Sequence, residues 1–383
     1  MKNLLIRNFG PIKEANIKLG QINIITGMQS SGKSCVLKTA SYCSWVEKRL
    51  ELTKKVNGFG NNDAFIKIMV NYYQISNYIH NDTYIEYESD YLKFYYSHAL
   101  RKFEVFWKDK SWEYKRAKVS YIPAERNILA AIPKWGSIPI DANMLDFMKN
   151  WTKARNFIKY SSNFLDLGMT YSYDSVSDTD NILLKNGKPL MLKESSSGVQ
   201  SLLPMYIHLD YLMNGQYEDN NENISFEKKE ERNNLRALIY NKTKVEESGE
   251  PVILHNDGAD YIFFSEAEAN EFTSLYKKHT EIDHSEIFLE EPENNLFPPT
   301  QCKFVNWLLE SIKTHNDMLF ITTHSPYVLN QFIKESPEDL VVLFTHNSPE
   351  DEDLYIVKQL LEEEVQEIYD SGVDMFFNFE LYV

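Results

Sequence analysis

The chain has 383 residues, of which 43% are hydrophobic and 25% charged, a composition typical of a globular protein with a sizeable core. Its 40 basic and 56 acidic residues give a formal net charge of −16, which opposes general attraction to nucleic acid but allows a local basic groove. No apolar run is long enough to span a membrane, the first residues lack the apolar core of a signal peptide, and the three cysteines are too scattered for a disulfide framework or a metal site, so we expect a cytoplasmic protein.

The N-terminal segment is predicted to be β-rich and to lead into a glycine-rich loop. The runs NLLIRNFG at 3–10 and INIITG at 22–27 predict two strands around a turn. The second run continues into GMQSSGKS at 27–34, after which residues up to 50 have the apolar spacing of a helix. A strand, a glycine-rich loop and a helix in this order form the context in which phosphate-binding loops occur.

The middle of the chain is predicted to mix helices with strands that are rich in aromatic residues. Helices are predicted at 64–79 and 141–166, strands at 83–97, 102–108 and 114–126, and a hairpin at 181–192 with Asn186 and Gly187 at its turn. Residues 214–250 are charged and asparagine-rich, which favours a solvated insertion or a small helical arm over a binding site.

The C-terminal third contains three apolar runs that predict buried strands, at 287–289, 318–323 and 340–344. Because strands and helices alternate here, a largely parallel sheet with crossover helices is predicted. The acidic run at 350–370 predicts a solvated helix and a candidate surface for a partner.

Residues Gly27–Ser34 fit the pattern G-x-x-x-x-G-K-S. Its glycines let backbone N–H groups turn towards phosphates, and the following helix adds a partial positive charge at its N-terminus. Lys33 is expected to reach the β- and γ-phosphates and Ser34 to bind Mg²⁺. The alternative is a plain glycine-rich turn.

Three further segments carry candidate chemistry. The 287–289 strand ends at Glu290 and Glu291, which we expect to hold Mg²⁺ and to polarise water, unless they belong to a surface turn that Pro292 closes. The next strand ends at His324, a candidate γ-phosphate contact or a structural histidine. The serine loop, residues 195–198, opens a helix and is either an N-cap or a second anion site. One nucleotide does not need two such loops, whereas a head-to-tail dimer does.

In this combination and order, the segments resemble the ATP-binding-cassette (ABC) ATPases of the SMC type. They look closest to a compact prokaryotic branch that includes OLD-like ATPases and the ATPase subunits of the Septu, PARIS and retron-associated antiphage systems. The resemblance implies an α/β fold, an SMC-head-like P-loop NTPase with a mixed sheet core, an antiparallel β-lobe and a helical insertion. It implies one split head, with an N-terminal lobe at 1–127, a helical insertion and hairpin at 128–193, and a C-terminal lobe at 194–383 that contains a charged insertion at 214–284.

The resemblance also implies roles for particular residues. ATP and Mg²⁺ are the implied ligands, with Ser34 and Glu290 holding the metal and Glu291, His324 and Lys33 acting in catalysis. The residues implied in nucleotide binding are Gly27, Ser30, Ser31, Gly32, Lys33, Ser34, Cys35, Arg7 and Asn8, with Ser196, Ser197 and Gly198 supplied by a second copy. Residues 125–127 fall near the position of the Q-loop but lack its glutamine. The chain departs from the family in having Glu-Glu where Asp-Glu is usual, and Val199 where the signature loop is usually polar.

The implied function is an ATPase that closes as a homodimer, or a higher even oligomer, and controls a separate effector such as a nuclease or toxin, without a membrane partner. Residues 128–193 are too few for a long coiled-coil rod, and residues 325–383 are too few for a further nuclease domain. Two alternatives stay open, an ATP-locked scaffold with little turnover and a DNA-processing ATPase that acts with a nuclease. The second draws on a local basic cluster, formed by Lys108, Lys110, Lys115, Arg116 and Lys118.

Overall fold

The computed structural model describes residues 2–56, 58–61, 63–131, 140–162, 164–219, 226–256, 259–335 and 339–372. The strands in chain order, β1 to β17, are Lys2–Phe9, Ile12–Leu19, Ile22–Gly27, Ile79–Glu88, Leu92–Ser97, Lys102–Trp107, Ala117–Ile122, Tyr160–Ser162, Thr170–Asp174, Thr179–Leu183, Pro189–Met191, Val252–Asn256, Ala259–Phe263, His284–Glu290, Met318–Thr322, Leu340–Ser348 and Asp351–Gln359. The helices, α1 to α10, are Lys33–Thr53, Ala64–Tyr73, Ile128–Ala131, Ala142–Ile158, Ser197–Met213, Phe226–Thr243, Glu266–Thr280, Pro298–Ser311, Pro326–Lys334 and Glu362–Ser371.

An 11-stranded mixed sheet forms the frame, in the order β6-β5-β4-β1-β2-β17-β16-β3-β15-β14-β7. Its second half, from β16 to β7, is parallel throughout. From β6 to β2 every neighbouring pair is antiparallel, and β17 joins the halves by running parallel to β2 and antiparallel to β16. The prediction of a largely parallel sheet therefore holds for one half only, and the antiparallel strands continue the core sheet through shared hydrogen bonds.

The central strands are apolar throughout because their alternate side chains enter two different cores. On one face, Phe288 of β14 and Phe320 of β15 lie in a cluster with residues of α1 and α2, and their rings stack with centroids 6.1 Å apart. On the other face, Ile287 and Ile321 pack in a cluster with residues of α5, α8 and α9. Burial on both faces removes the alternation of polar and apolar residues that a half-exposed strand shows. It also fixes the carboxyl ends of β3, β14 and β15 at one edge.

Residues 226–280 form a unit with an apolar core of its own, which the composition of 214–250 did not predict. Helices α6 and α7 enclose Leu235, Ile239 and Phe272, and the hairpin of β12 and β13 adds Phe263. Of the two predicted alternatives, a solvated insertion or a small helical arm, the helical one is correct, and the helix is packed in its described part. Its polar residues occupy the outer faces of α6, which is why its composition alone looks like that of a loop.

Several element boundaries differ from the prediction. The segment between the first two predicted strands is itself a strand, β2, and α4 ends at Ile158 rather than near 166. Residues 160–191 form a four-stranded antiparallel sheet with α4 alongside, so the predicted helical insertion is of mixed structure. The hairpin at its end is confirmed, with Gly187 at φ 76° in the turn between β10 and β11. The acidic run splits into strand β17 and helix α10, and only the second half confirms the predicted helix.

Within the described residues no helix is both long and apolar enough to cross a bilayer.

Candidate nucleotide-binding site

The glycine-rich loop joins β3 to α1 and needs both of its glycines for steric reasons. Gly27 has φ 144°, and a Cβ placed there would lie 2.0 Å from Oγ1 of Thr345. Gly32 has φ 84°, and its Cβ would lie 2.6 Å from Cδ1 of Ile12. Ser30 also has a positive φ, 62°. Such left-handed positions turn successive N–H groups to one side, which is the backbone form of an anion-binding loop.

Lys33, the first residue of α1, is folded back into this loop. Its side chain is buried, and Nζ donates to the carbonyl oxygens of Gly27, at 3.1 Å, and of Met28. Burial lowers the pKa of Lys33 to about 8, against the attraction of Glu291 and Glu293. The ammonium thus occupies the hollow of the loop and is held by weak neutral acceptors. A phosphate is a stronger acceptor, because charge-assisted hydrogen bonds are about twice as strong as neutral ones.

Other residues of the loop are fixed from outside it. The Ser31 hydroxyl donates to Met28 O at 2.7 Å and lies 2.5 Å from Oγ1 of Thr345, at the end of β16. Ser34 is half-buried at the start of α1, and Cys35 is buried with its thiol towards Phe9 O at 3.5 Å. Burial raises the pKa of Cys35 to about 12, so this thiol is inert. Sequence reasoning missed Thr345, since its strand lies more than 300 residues away along the chain.

Glu290 ends β14 beside the loop, and Thr322 of β15 is its partner in register. The carboxylate is buried, with Oε2 accepting from Ala124 N at 3.4 Å and Oε1 4.0 Å from Nζ of Lys38. Oε1 has no hydrogen-bond partner within the described part of the chain. A buried carboxylate oxygen without a donor is costly unless a cation compensates it.

The residues at this edge fit a magnesium ion bound together with a nucleotide. No group of three or more His, Cys, Asp or Glu side chains among the described residues could hold a metal by itself. Mg²⁺, however, usually takes only one or two protein ligands and completes its shell with phosphate oxygens and water. The Ser34 hydroxyl and the orphaned oxygen of Glu290 supply protein ligands of that type.

Glu291 and His324 face each other at the same edge. Glu291 has φ 42°, a left-handed conformation that is uncommon for glutamate, and its N–H donates to Thr322 O at 2.9 Å. Its Oε1 lies 3.6 Å from Nε2 of His324, and both side chains are about one-third exposed. Burial and the neighbouring Lys33 lower the pKa of His324, so its imidazole is neutral at pH 7. The pair therefore offers one base and one neutral hydrogen-bonding ring to the same space.

Two further residues at this edge were not singled out by sequence reasoning. Glu293 accepts from the backbone N–H of His324 at 2.6 Å, and Arg126 donates to the carbonyl oxygens of Glu290 and Glu291, each at 2.8 Å. Glu293 follows Pro292 in a segment that we had interpreted by its first two acids alone. Arg126 lies in the segment assigned loosely to the Q-loop position, and a sequence gives no sign that an arginine is buried.

Arg7 and Asn8 lie on β1, and each is held by a partner other than the loop. Arg7 is exposed and pairs with Glu14 at 3.3 Å, and Asn8 donates to Asp82 at 2.6 Å. The turn after them approaches the site, since Pro11 and Ile12 are the nearest side chains to Gly32. Their predicted role in nucleotide binding stays a prediction.

The serine loop has no described hydrogen bond to the glycine-rich loop. Ser196 is the N-cap of α5 and accepts from Val199 N, while Ser196 and Ser197 are both exposed. Gly198 packs against the segment after Glu291, because a Cβ there would lie 2.9 Å from Asn295 O. The described hydrogen bonds of the loop side chains stay within 192–199. The N-cap interpretation is thus correct in geometry, and it leaves two exposed hydroxyls at the N-terminus of a 17-residue helix.

Two lysines of the basic cluster form ion pairs, and two further residues donate to neutral oxygens. Lys108 pairs with Glu88 at 2.7 Å, Lys115 pairs with Asp283 at 3.1 Å, and Lys118 donates to Asn150 at 3.1 Å. Arg116 donates to Thr280 O. These contacts weaken the case for a nucleic-acid track through this cluster.

No family model and no curated protein matches the chain. The structure is similar to solved SMC head domains at low sequence identity. They are an SMC head bound to the C-winged helix domain of ScpA (TM-score 0.45, 9% identity, 95% of this chain and 98% of that chain), an SMC head domain from Thermotoga maritima (0.43, 10%, 94% and 98%), and an SMC head with an extended coiled coil bound to the C-terminal domain of ScpA derived from Pyrococcus furiosus (0.34, 11%, 97% and 99%). Because these TM-scores are low, the structural similarity carries no part of the function proposed below.

Proposed function

We propose that the chain is a Mg²⁺-dependent ATPase of the SMC-like type whose two nucleotide sites are completed by dimerisation. The observation that carries this proposal is the meeting of three strand ends. Strand β3 leads to the loop with Lys33, β14 ends at Glu290 and Glu291, and β15 leads to His324. Open α/β sheets bind ligands at the carboxyl edge of their parallel strands, and this edge holds a phosphate loop and a base together.

The residues divide the work of hydrolysis among themselves. The loop N–H groups and Lys33 bind the β- and γ-phosphates, with Lys33 moving from the carbonyls of Gly27 and Met28 to phosphate oxygens. Mg²⁺, when bound, neutralises phosphate charge. Glu291 accepts a proton from the attacking water, and neutral His324 donates a hydrogen bond near the γ-phosphate.

Dimerisation brings the serine loop of one copy to the phosphate loop of the other. Ser196 and Ser197 are exposed at a helix N-terminus, where partial positive charge favours an anion. Phe297, in the segment that follows the Glu290–Glu291 strand end, is 75% exposed beside Pro298 at the start of α8. An apolar ring at this exposed place suits burial against a second copy.

The wider role follows from the resemblance to the ATPases of antiphage systems. We propose that the closed dimer holds or releases a separate effector, a nuclease or a toxin, in the cytoplasm during prokaryotic defence. A scaffold that binds ATP and rarely turns it over uses the same residues, and turnover separates the two.

Multiple-turnover phosphate release from ATP by the pure chain with Mg²⁺ tests the proposal. We expect Glu291→Gln to lower kcat by about 10²- to 10⁴-fold while ATP binding persists, because proton transfer by a positioned base contributes about that much. Glu310→Gln, on an exposed position of α8, is the matched control and should leave kcat unchanged. Full activity of Glu291→Gln would exclude Glu291 as the base. ATP binding by the wild type without turnover would favour the scaffold.

A further inference from the structure

Arg126 is a fully buried arginine at the strand end that carries the proposed base. Its side chain has no exposed surface, and it is the largest of the fully buried side chains in the described structure. It does not reach the chemistry directly, because its described hydrogen bonds all go to backbone carbonyls. Burying a charge is costly unless acceptors surround it, and these carbonyl oxygens are the acceptors that make the burial of this guanidinium tolerable.

The guanidinium donates hydrogen bonds to the carbonyl oxygens of both Glu290 and Glu291, at the turn where β14 ends. Nη1 donates to Glu290 O at 2.8 Å and to Pro123 O at 3.3 Å, and Nη2 donates to Glu291 O at 2.8 Å. Two consecutive carbonyls are therefore held by one planar, rigid fork. These hydrogen bonds hold the residue whose backbone is left-handed, Glu291, at φ 42°. Glutamate adopts this conformation rarely, so it persists only where surrounding contacts over-determine it.

The same guanidinium also offsets the crowding of acids at this edge. Burial lowers the pKa of Arg126 to about 10, against the attraction of Glu293, Glu291 and Glu290, so the guanidinium remains charged at neutral pH. Removing the cation would leave these carboxylates facing each other without that compensation. Charge and geometry thus act on the same turn.

We infer that Arg126 is a positioning residue for hydrolysis, which holds the Glu291 backbone in the conformation that aims its carboxylate at the space beside His324. This inference rests on the proposed ATPase function. It predicts a larger effect on kcat than on ATP binding, because the described hydrogen bonds of Arg126 go to the strand end that carries Glu290 and Glu291 and to Pro123, and not to the glycine-rich loop. A misplacement of about 1 Å at a catalytic group can cost about 100-fold in rate.

Arg155 provides a matched control in the same chain. It is also buried, at 8% exposure, and also uses both Nη atoms, donating to Asp180 at 2.9 Å and to Asp178 at 2.7 Å. Those acceptors lie on and beside β10, in the four-stranded sheet. Arg155→Ala therefore reports what losing a buried, doubly bonded arginine does to folding alone.

The experiment compares Arg126→Lys, Arg126→Ala and Arg155→Ala in thermal unfolding, binding of a fluorescent ATP analogue, and steady-state ATP hydrolysis. We expect kcat to fall about 100-fold in Arg126→Ala and about 10-fold in Arg126→Lys, whose single ammonium cannot hold two carbonyls as a fork, with KM and analogue affinity nearly unchanged. Arg155→Ala should keep its kcat per folded molecule. Because Arg126→Ala tests the inference only if it folds, kcat is normalised to the folded fraction and Arg126→Lys is measured in parallel.

Two results would overturn the inference. Wild-type kcat in folded Arg126→Lys and Arg126→Ala would show that the grip on the turn does not position the base, while leaving the ATPase proposal intact. Equal losses in the Arg126 and Arg155 variants would show a general effect of destabilisation. A wild-type protein that binds the analogue but hydrolyses no ATP would remove the ATPase proposal and this inference together.

Discussion

The glycine-rich loop and the serine loop, which the proposal assigns to phosphate, differ in how far one copy of the chain completes them. The surroundings of the glycine-rich loop come from one copy of the chain. Lys33 donates to carbonyls of the loop, Ser31 contacts Thr345, and two carboxylates lie at the neighbouring strand end. The serine loop is exposed, and the hydrogen bonds described for its side chains are to nearby backbone. The glycine-rich loop thus has a lysine and neighbouring carboxylates, whereas the serine loop offers only hydrogen-bond donors. The function proposed above therefore assigns the second loop to a nucleotide that another copy of the chain holds.

Removing Lys33 should have the largest effect, because it disables the complete loop. Lys33→Ala should weaken ATP binding and hydrolysis by at least about 100-fold, since a preorganised charged donor at a phosphate contributes that order of stabilisation. Equilibrium binding of a fluorescent ATP analogue measures it. Lys18→Ala, an exposed lysine of β2, is the control. Near-normal ATP binding by Lys33→Ala would mean that the glycine-rich loop is only a turn.

Changing the serine loop should separate binding from turnover. Ser197→Arg should leave ATP binding by the isolated copy intact and lower turnover by about 100-fold, because a bulky side chain blocks the partner's site and removes a donor. Ser177→Arg, in an exposed turn between β9 and β10, is the control.

The two lesions should complement each other if the loops meet across a dimer. Mixing Lys33→Ala with Ser197→Arg re-forms one intact composite site in each mixed dimer. Measurable turnover in the mixture, from two proteins that are inactive alone, is the expected outcome. Additive residual activities with no gain on mixing would place the serine loop outside the site.

The helix that carries the serine loop has a pH-sensitive anchor. His208 of α5 is fully buried, stacks on Phe147 and lies 3.1 Å from the Ser120 hydroxyl. Burial, with a smaller effect of Lys118, lowers its pKa to about 3. Below about pH 6.5 His208 therefore takes up a proton in the unfolded chain but stays neutral in the folded chain. The free energy of unfolding consequently falls as the pH drops below about 6.5.

This pH effect is measurable by urea unfolding at pH 7 and pH 5. The wild type should lose about 2 kcal/mol more than His208→Gln over this interval. Other titrating groups contribute equally to both proteins, so the difference isolates His208. An identical loss in both proteins would mean that His208 titrates normally.

The smallest expected effect is at Thr345, which supports the complete loop from β16. Thr345→Val removes the hydroxyl near Ser31 and Thr26 O while keeping the side-chain volume, and should weaken ATP affinity by about 1 kcal/mol, or about fivefold. Thr345→Ser should bind like the wild type. A loss in both variants would trace the effect to packing against Gly27 instead of the hydroxyl.

The sequence predicted the elements with short, strong signals and missed those that depend on distant contacts. The strand, loop and helix around Lys33 were predicted because glycine positions and apolar spacing are local features. In the four-stranded sheet of residues 160–191, the β10–β11 hairpin was predicted from its Asn-Gly turn, whereas β8 and β9 are too short for their alternation to be recognised. Residues 214–250 looked solvated because polar residues cover the outer face of α6, while Phe263 and Phe272, which complete the core, lie beyond the charged run.

Within the site, the missed residues share one physical feature. Arg126, Glu293 and Thr345 act through backbone groups or hydroxyls of segments far away in the chain, and no spacing rule relates them to a phosphate loop. Lys33, Glu290, Glu291 and His324 lie at one edge of the sheet, whereas Arg7 and Asn8 have partners outside the loop, Cys35 faces Phe9, and the serine loop lies against Asn295. Their roles in binding and catalysis stay predictions until they are measured.

The most direct test of the two-copy account is the mass of Glu291→Gln with and without Mg²⁺-ATP, measured by native mass spectrometry. Removing the base should trap the ATP-bound state, so the account predicts a dimer only with ATP. The double variant Glu291→Gln, Ser197→Arg should stay a monomer under the same conditions. A Glu291→Gln protein that binds ATP and remains a monomer would contradict the account and leave the serine loop as the cap of α5.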